Sequence, residues 1–356
     1  MNKQRDIEIL RELIDIPSPS GFERPIAEYI KNTVSEFVDE SKINIDFQNN
    51  VIVEIPGRNK DKTILIDAHS DEIGFIIGNV DRWGRISMRY IGGGDSTILS
   101  ARNLWILTKN GILNAIVDRK HSHMVYDEDD ENIYAPQEAE VDIGIKDRDK
   151  ILKLIEIGDP VVFELSFRHL TDDYYAGYGF DDKSGCFMLI KSIEYFSTHI
   201  PEYNLVFLFS AQEETGTSKI FPVLRKYNPS LVIELDVTFA TDYGNSEDME
   251  RDVGRCKMEG GVSLYKGVDV FREGVDLCEK IAKQNDIPYQ IQACEGAIGY
   301  TSLDTTDIGF GTRAMVFGIP LRNMHNPVEV INYKDLISGT KLLNKFLSSK
   351  RLSKIL

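Results

Sequence analysis

The sequence predicts an α/β fold, a mostly parallel doubly wound sheet carrying an inserted small β-barrel-like domain. Three observations predict it. Apolar segments suited to burial on both faces, Thr63–Ala68, Asn204–Ser210 and Leu231–Leu235, alternate with stretches of helical periodicity. That alternation falls in two blocks, separated from about Ile73 to Glu164 by short strands and turns of a different texture. The chain's 356 residues exceed one ordinary compact core and suit a large domain with a smaller one attached. The expected division is residues 1–72 with 165–356 as one domain and 73–164 as the insert.

Taken in order, Ile7, Ile9, Leu10, Leu13 and Ile14 fall at helical spacing, and Pro17-Ser18-Pro19-Ser20-Gly21 stops that helix. Ser20 is expected to cap a second helix near Glu23–Val38, with Ile26, Ile30 and Val34 on its buried face. Val51–Ile55 is a strand, Pro56–Asn59 a turn, and Thr63–Ala68 a strand ending in His69-Ser70-Asp71-Glu72. In open α/β sheets ligands collect beyond the carboxyl ends of strands, so this ending is well placed for chemistry. Within the insert, Trp105–Leu113 reads as a hairpin. Gly92-Gly93-Gly94-Asp95 lacks the strand, lysine and helix of a phosphate-binding loop and is read as an ordinary loop. The acidic run Asp127 to Glu131 is read as a solvated loop.

Gly177–Cys186 places two carboxylates, Asp181 and Asp182, between glycines, ahead of a core helix outlined by Phe187, Met188, Leu189, Ile190, Ile193 and Phe196. Asn204–Ser210 terminates in Ala211-Gln212-Glu213-Glu214, and Leu231–Leu235 in Asp236. A helix over Phe271–Asn285 and a strand over Ala314–Phe317 follow, then Arg322-Asn323-Met324-His325-Asn326-Pro327 and a last helix over Tyr333–Leu347.

Composition narrows the function. A net charge of -16 leaves no basic face for phosphate, which argues against a nucleic-acid partner. The four cysteines form no Cys-x-x-Cys pair and are expected as free thiols. No apolar run reaches the roughly 18 residues of a membrane span, and no hydrophobic signal core follows the first residues, so the chain reads as cytoplasmic.

The collected candidates are His69, Asp71, Asp181, Asp182, Glu213, Glu214, Asp236 and His325. Each alone has an ordinary explanation as a hydrogen-bonded pair, a helix cap or a charged helix start. Their recurrence at one kind of location points to a shared site. Imidazole nitrogen and carboxylate oxygen suit zinc, cobalt or manganese, and carboxylates can bridge two ions about 3.5–4 Å apart. Adjacent Glu213 and Glu214 can divide labour, because consecutive side chains of an extended chain point to opposite sides.

Ala68–Gly74, Gly179–Gly185, Gln212–Gly216, Leu235–Thr238 and Ile319–Pro327 together resemble the motif set of the tetrahedral (TET) or glutamyl aminopeptidase family of dinuclear zinc peptidases, some of which carry endoglucanase labels. The resemblance covers nearly the whole chain, including the Leu13–Gly21 opening and the position of the insert. It implies a cytosolic exopeptidase acting on short peptides. His69, Asp181 and Asp236 would hold one metal ion, and Asp181, Glu214 and His325 the other, with Asp181 as the bridge. Glu213 would be the general base, Asp71 would orient His69, and Asp182 is left without a metal role. Self-association is implied too, from dimer to dodecamer, with the insert contributing dimer contacts.

The sequence departs from the family at several positions. Ser70 stands where methionine is frequent and Lys183 where arginine is. In Gly299-Tyr300-Thr301-Ser302-Leu303-Asp304, Ser302 replaces an expected aspartate, or Asp304 or Asp307 takes its place, which leaves substrate preference open. Two other readings stand beside the peptidase. A non-catalytic metal-binding assembly protein of the same fold would be betrayed by a lost ligand or a lost Glu213, and none is lost. A glycoside hydrolase would need stacking aromatics beside a carboxylate pair. Of the two tryptophans, Trp83 and Trp105, both lie in the insert.

Overall fold

The computed structural model describes residues 2–119, 123, 136, 138–164, 166–216, 219–244, 247–294 and 311–356. The Ser302 region and the acidic run at 127–131 lie outside the described residues.

Two helices open the chain, α1 (Lys3–Ile14) and α2 (Arg24–Val34). The second begins one residue before Pro25, which a helix tolerates only in its first turn, and ends earlier than its apolar pattern suggests. Its cap position is Glu23, not Ser20. The Ser20 hydroxyl instead donates to Asp71 Oδ2 at 2.5 Å. Next come β1 (Ile43–Ile45), β2 (Val51–Ile55) and β3 (Asn59–His69).

The insert follows, with β4 (Gly74–Val80), β5 (Ile86–Ile91), β6 (Asn103–Thr108), β7 (Gly111–Val117), β8 (Val141–Asp142), the short α3 (Arg148–Ile151) and β9 (Pro160–Phe163). Its six strands close into a barrel in the order β4-β5-β8-β7-β6-β9, and β6 with β7 is the expected hairpin. Closure removes the free edges that six short strands would otherwise expose. Phe75, Ile77, Met88, Ile106 and Val161 fill its interior.

After the barrel come β10 (Arg168–His169), β11 (Tyr174–Gly177), α4 (Phe180–Thr198), β12 (Tyr203–Ser210), α5 (Phe221–Tyr227) and β13 (Leu231–Phe239). The chain continues with α6 (Glu247–Val253), β14 (Ser263–Gly267), α7 (Arg272–Gln284), β15 (Gln290–Cys294), β16 (Arg313–Leu321), β17 (Glu329–Asn332) and α8 (Tyr333–Leu347).

The large sheet has eight strands in the order β1-β2-β12-β3-β13-β16-β14-β15. Its four central strands, β12, β3, β13 and β16, run parallel, and antiparallel pairings flank them. Alternation along β3 divides the core, as pleating requires. Ile64 and Ile66 face α1, α2, α4, α7 and α8, while Leu65 joins Val206, Val232 and α5 on the other face. No helix among the described residues is long and apolar enough to cross a membrane.

Three features position the site. Parallel pairing brings His69, at the end of β3, level with Ser210, at the end of β12. A separate sheet, β10-β11-β17, joins the segment entering α4 to the segment entering α8. Tyr178 ties the barrel to the large domain, because its ring packs in the barrel core against Phe163 and its hydroxyl donates to the Ile73 carbonyl at 2.5 Å.

Candidate metal centre

The carboxyl ends of the central strands deliver most of the candidate residues to one place, and the start of α4 delivers Asp181. Gly179 there adopts a left-handed φ of 77°, and regular helical geometry begins only after Asp182, so Asp181 stands outside the helix proper. Asp181 is buried, and its two carboxylate oxygens face two different histidines. Oδ1 lies 3.1 Å from His69 Nε2 and Oδ2 lies 3.2 Å from His325 Nε2. His325 Nε2 is also 3.4 Å from Glu214 Oε1. Two groups of donors result. His69, Asp181 and Asp236 offer ligand atoms within 4.8 Å of one another, and so do Asp181, Glu214 and His325.

The ring of His69 is held in one orientation. Its Nδ1 lies 3.0 Å from the Asp71 carbonyl, which can only accept, so Nδ1 carries a proton and Nε2 is the ring nitrogen turned toward Asp181. The Asp71 carboxylate is farther from that nitrogen, at 3.6 Å. It accepts instead from the backbone N–H groups of Glu213 and Glu214, at 3.0 and 3.2 Å, and from the Ser20 hydroxyl. Those two glutamates lie in a one-turn 3₁₀ segment, Glu213–Thr215, entered through a left-handed Gln212, so a tight turn and not an extended chain separates their side chains.

Asp182 turns away from the donors. Its Oδ1 accepts the Gly185 N–H at 2.9 Å, as a capping aspartate does, and a Cβ on Gly185 would collide with the same carboxylate.

Several features of the site escaped the sequence reading. Glu72 and Lys183, both buried, pair at 2.6 Å, and the lysine also donates to the Ile16 carbonyl at 2.8 Å. Glu329, 2% exposed, accepts the N–H of His325 at 3.0 Å and that of Asp181 at 3.2 Å. The sequence signal for it is slight, an acidic residue opening a short strand with Val330 and Ile331 at its middle. The glycine loop after β5 is more than a surface turn. A Cβ on Gly92 would fall 3.3 Å from the Glu214 side chain, and one on Gly93 would fall 3.6 Å from His325 Nδ1. The barrel thus reaches the donor groups. By contrast, His169 packs on Tyr175 and His199 stacks on Tyr195.

Electrostatics test whether cations fit. Burial, reinforced by neighbouring carboxylates, pushes Glu213 up to about 9 and Asp236 up to about 7, and raises Glu214. Burial also raises Asp182 and Glu329 well above the carboxylate range. Asp181 alone among the donor carboxyls goes the other way, because against its burial His325 and His69 stabilise its charge. Buried carboxylates that repel one another, together with two imidazole nitrogens, are the electrostatic condition that divalent cations relieve. The donor set of nitrogen and oxygen suits them.

Known proteins carry the same arrangement of fold and sequence. Residues 49–342 match the family described as M42 glutamyl aminopeptidase. A putative aminopeptidase of Acetivibrio thermocellus is 30% identical over 349 residues, covering 96% of this chain and 98% of that one. The lysyl aminopeptidase of Pyrococcus furiosus is 25% identical over 346 residues, 96% of each chain. The TET1 peptidase of Pyrococcus horikoshii, whose structure is described as assembling into a tetrahedron or a large octahedral shell, superposes with a TM-score of 0.84 at 26% identity, covering 97% of this chain and 99% of that one. With the family match spanning most of the chain and the Acetivibrio thermocellus relative aligned over 96% of it, the protein belongs to the M42 glutamyl aminopeptidase family and is an aminopeptidase, a hydrolase of the metallopeptidase class.

Proposed function

We propose that the protein removes N-terminal residues from short peptides with two divalent metal ions and Glu213 as general base. The observation that carries this reading is Asp181, one buried carboxylate with an oxygen toward each of two donor groups. His69, Asp181 and Asp236 would hold one ion, and Asp181, Glu214 and His325 the other. Zinc matches the mixed donors best, with cobalt or manganese as alternatives. Bound there, the ions would supply an activated water at neutral pH and polarise the scissile carbonyl.

The remaining chemistry belongs to the side chains. Glu213 lies outside both donor groups and is free to take a proton from the attacking water and return it to the leaving amine. Asp71 would serve it twice, fixing the imidazole of His69 through its carbonyl and the Glu213–Glu214 turn through its carboxylate. Glu214 is held by the same carboxylate in position toward His325.

Residues 1–72 and 165–356 would form the catalytic domain, and 73–164 the assembly domain. Self-association, between a dimer and a dodecamer, finds support in the shells described for the TET1 relative. All four cysteines are free, which supports a reducing compartment, and the cytoplasm is the location this reading proposes.

The test is a panel of aminoacyl-nitroanilides and short peptides assayed on chelator-dialysed protein, with and without zinc, cobalt or manganese. The reading predicts no cleavage by the dialysed protein and recovery with metal. Cleavage at an unchanged rate after chelation contradicts it.

A further inference from the structure

The loop that carries His325 is closed on itself. Arg322 and Val330 exchange both backbone hydrogen bonds, at 3.1 and 3.0 Å. Between them Asn323 and His325 adopt left-handed φ values of 61° and 59°. That region is unfavourable for residues with a Cβ, so His325 needs an external hold to stay forward.

Glu329 supplies one. It is the first residue of β17 and pairs in register with Gly177, the last residue of β11. Past Gly177 the chain leads to Asp181, and just before Glu329 it has passed through His325. One Glu329 oxygen accepts the His325 N–H and the other accepts the Asp181 N–H. A single buried carboxylate therefore links two chain segments, one carrying the carboxylate common to both donor groups and the other carrying a histidine of one group.

We propose that Glu329 is a positioning residue that sets the spacing of the Asp181–Glu214–His325 group and secures the ion held there. The inference rests on the two-ion reading above and deepens it. Its selectivity follows from how the other group is built. His69 is fixed by the pairing of β3 with β12, and Asp236 by the pairing of β13 with β16, where it lies opposite Gly318. Asp181 also keeps the hold of the turn into α4, where its neighbour Asp182 accepts the Gly185 N–H. His325 stands on a loop, outside any strand pairing among the described residues.

The chemistry also dictates a carboxylate. Both partners are N–H donors, so the bridging group must present two acceptors. Glutamine has nearly the same volume but only one acceptor oxygen, and its NH₂ would meet one of the N–H groups head-on. A packing role would be satisfied by glutamine, whereas a positioning role would not.

The experiment titrates metal-free wild type, Glu329→Gln and Glu329→Ala with cobalt(II), read by calorimetry and by visible absorption, with thermal melts of each metal-free protein. Wild type is expected to bind two equivalents. Both variants are expected to keep one tight equivalent and to bind the second about 10–100-fold more weakly, with a changed cobalt spectrum for that step. Glu329→Gln that binds both equivalents as wild type does overturns the proposal, and so does equal weakening of both equivalents in a folded variant. Fewer than two equivalents on wild type overturns the two-ion reading itself, which is a different result from either.

Discussion

Asp181 and Asp182 are chemically identical neighbours that the fold sends in different directions. Asp181 faces two histidines and keeps its charge despite burial, while Asp182 accepts the Gly185 N–H and is pushed up by burial. The account therefore expects Asp181→Asn to lose most bound metal from both donor groups, and Asp182→Asn to retain it with stability changed by about 1 kcal/mol or less. Metal analysis after dialysis, paired with thermal melting, separates the two, and equal metal losses would contradict the assignment. At this scale the donors were legible in the sequence. His69 and Glu214 stand at or beyond the ends of apolar strands and His325 follows one, while Asp236 ends the apolar run Leu231–Leu235 but lies inside β13, which continues to Phe239. Their supports were not legible. The hydrogen bonds of Asp71 to the Glu213–Glu214 turn, of Ser20 to Asp71 and of Glu329 to Asp181 connect residues 51 to 148 positions apart, and no local pattern encodes such a meeting.

Among the elements, the start of α4 depends on a buried ion pair. Lys183, fully buried, joins Glu72 beyond β3 to the Ile16 carbonyl at the end of α1, so three segments meet on one ammonium. Breaking a buried pair strands a charge, whereas making it gains little over apolar packing. Lys183→Met should accordingly destabilise the protein by roughly 3–5 kcal/mol in denaturant unfolding, with part of the loss recovered when Glu72→Gln is added. A single variant as stable as wild type would show that the pair contributes nothing. The elements themselves follow from periodicity, and the limits of that reading are local. Ser20 goes to Asp71 because Pro25 sets the start of α2 and leaves Glu23 at the cap. The glycine loop lacks the strand and helix of a phosphate site, yet barrel docking sets Gly92 against Glu214 and Gly93 against His325.

The whole molecule converts separation in sequence into proximity. Residues 69, 181, 214, 236 and 325 converge because four parallel strands end on one edge and a second small sheet registers the turn of Asp181 with the loop of His325. The barrel adds a closed body whose outer surface exposes Trp83, Ile112 and Ile116, the latter two on the same face of β7 with Asn114 between them. Fold class and the barrel-like insert were readable because burial on two faces and alternation leave different marks in sequence. The docking of the barrel was not, since it is carried by Tyr178, a residue outside the insert whose ring completes the barrel core. The central claim is that this convergence makes a two-ion centre with a separate base beside it. Its most direct test is the Glu213→Gln variant loaded with zinc or cobalt, measuring bound metal and nitroanilide cleavage on the same sample. The account predicts two equivalents of metal and a rate lowered by about 10²–10⁴-fold. Normal cleavage by the metal-loaded variant would contradict it.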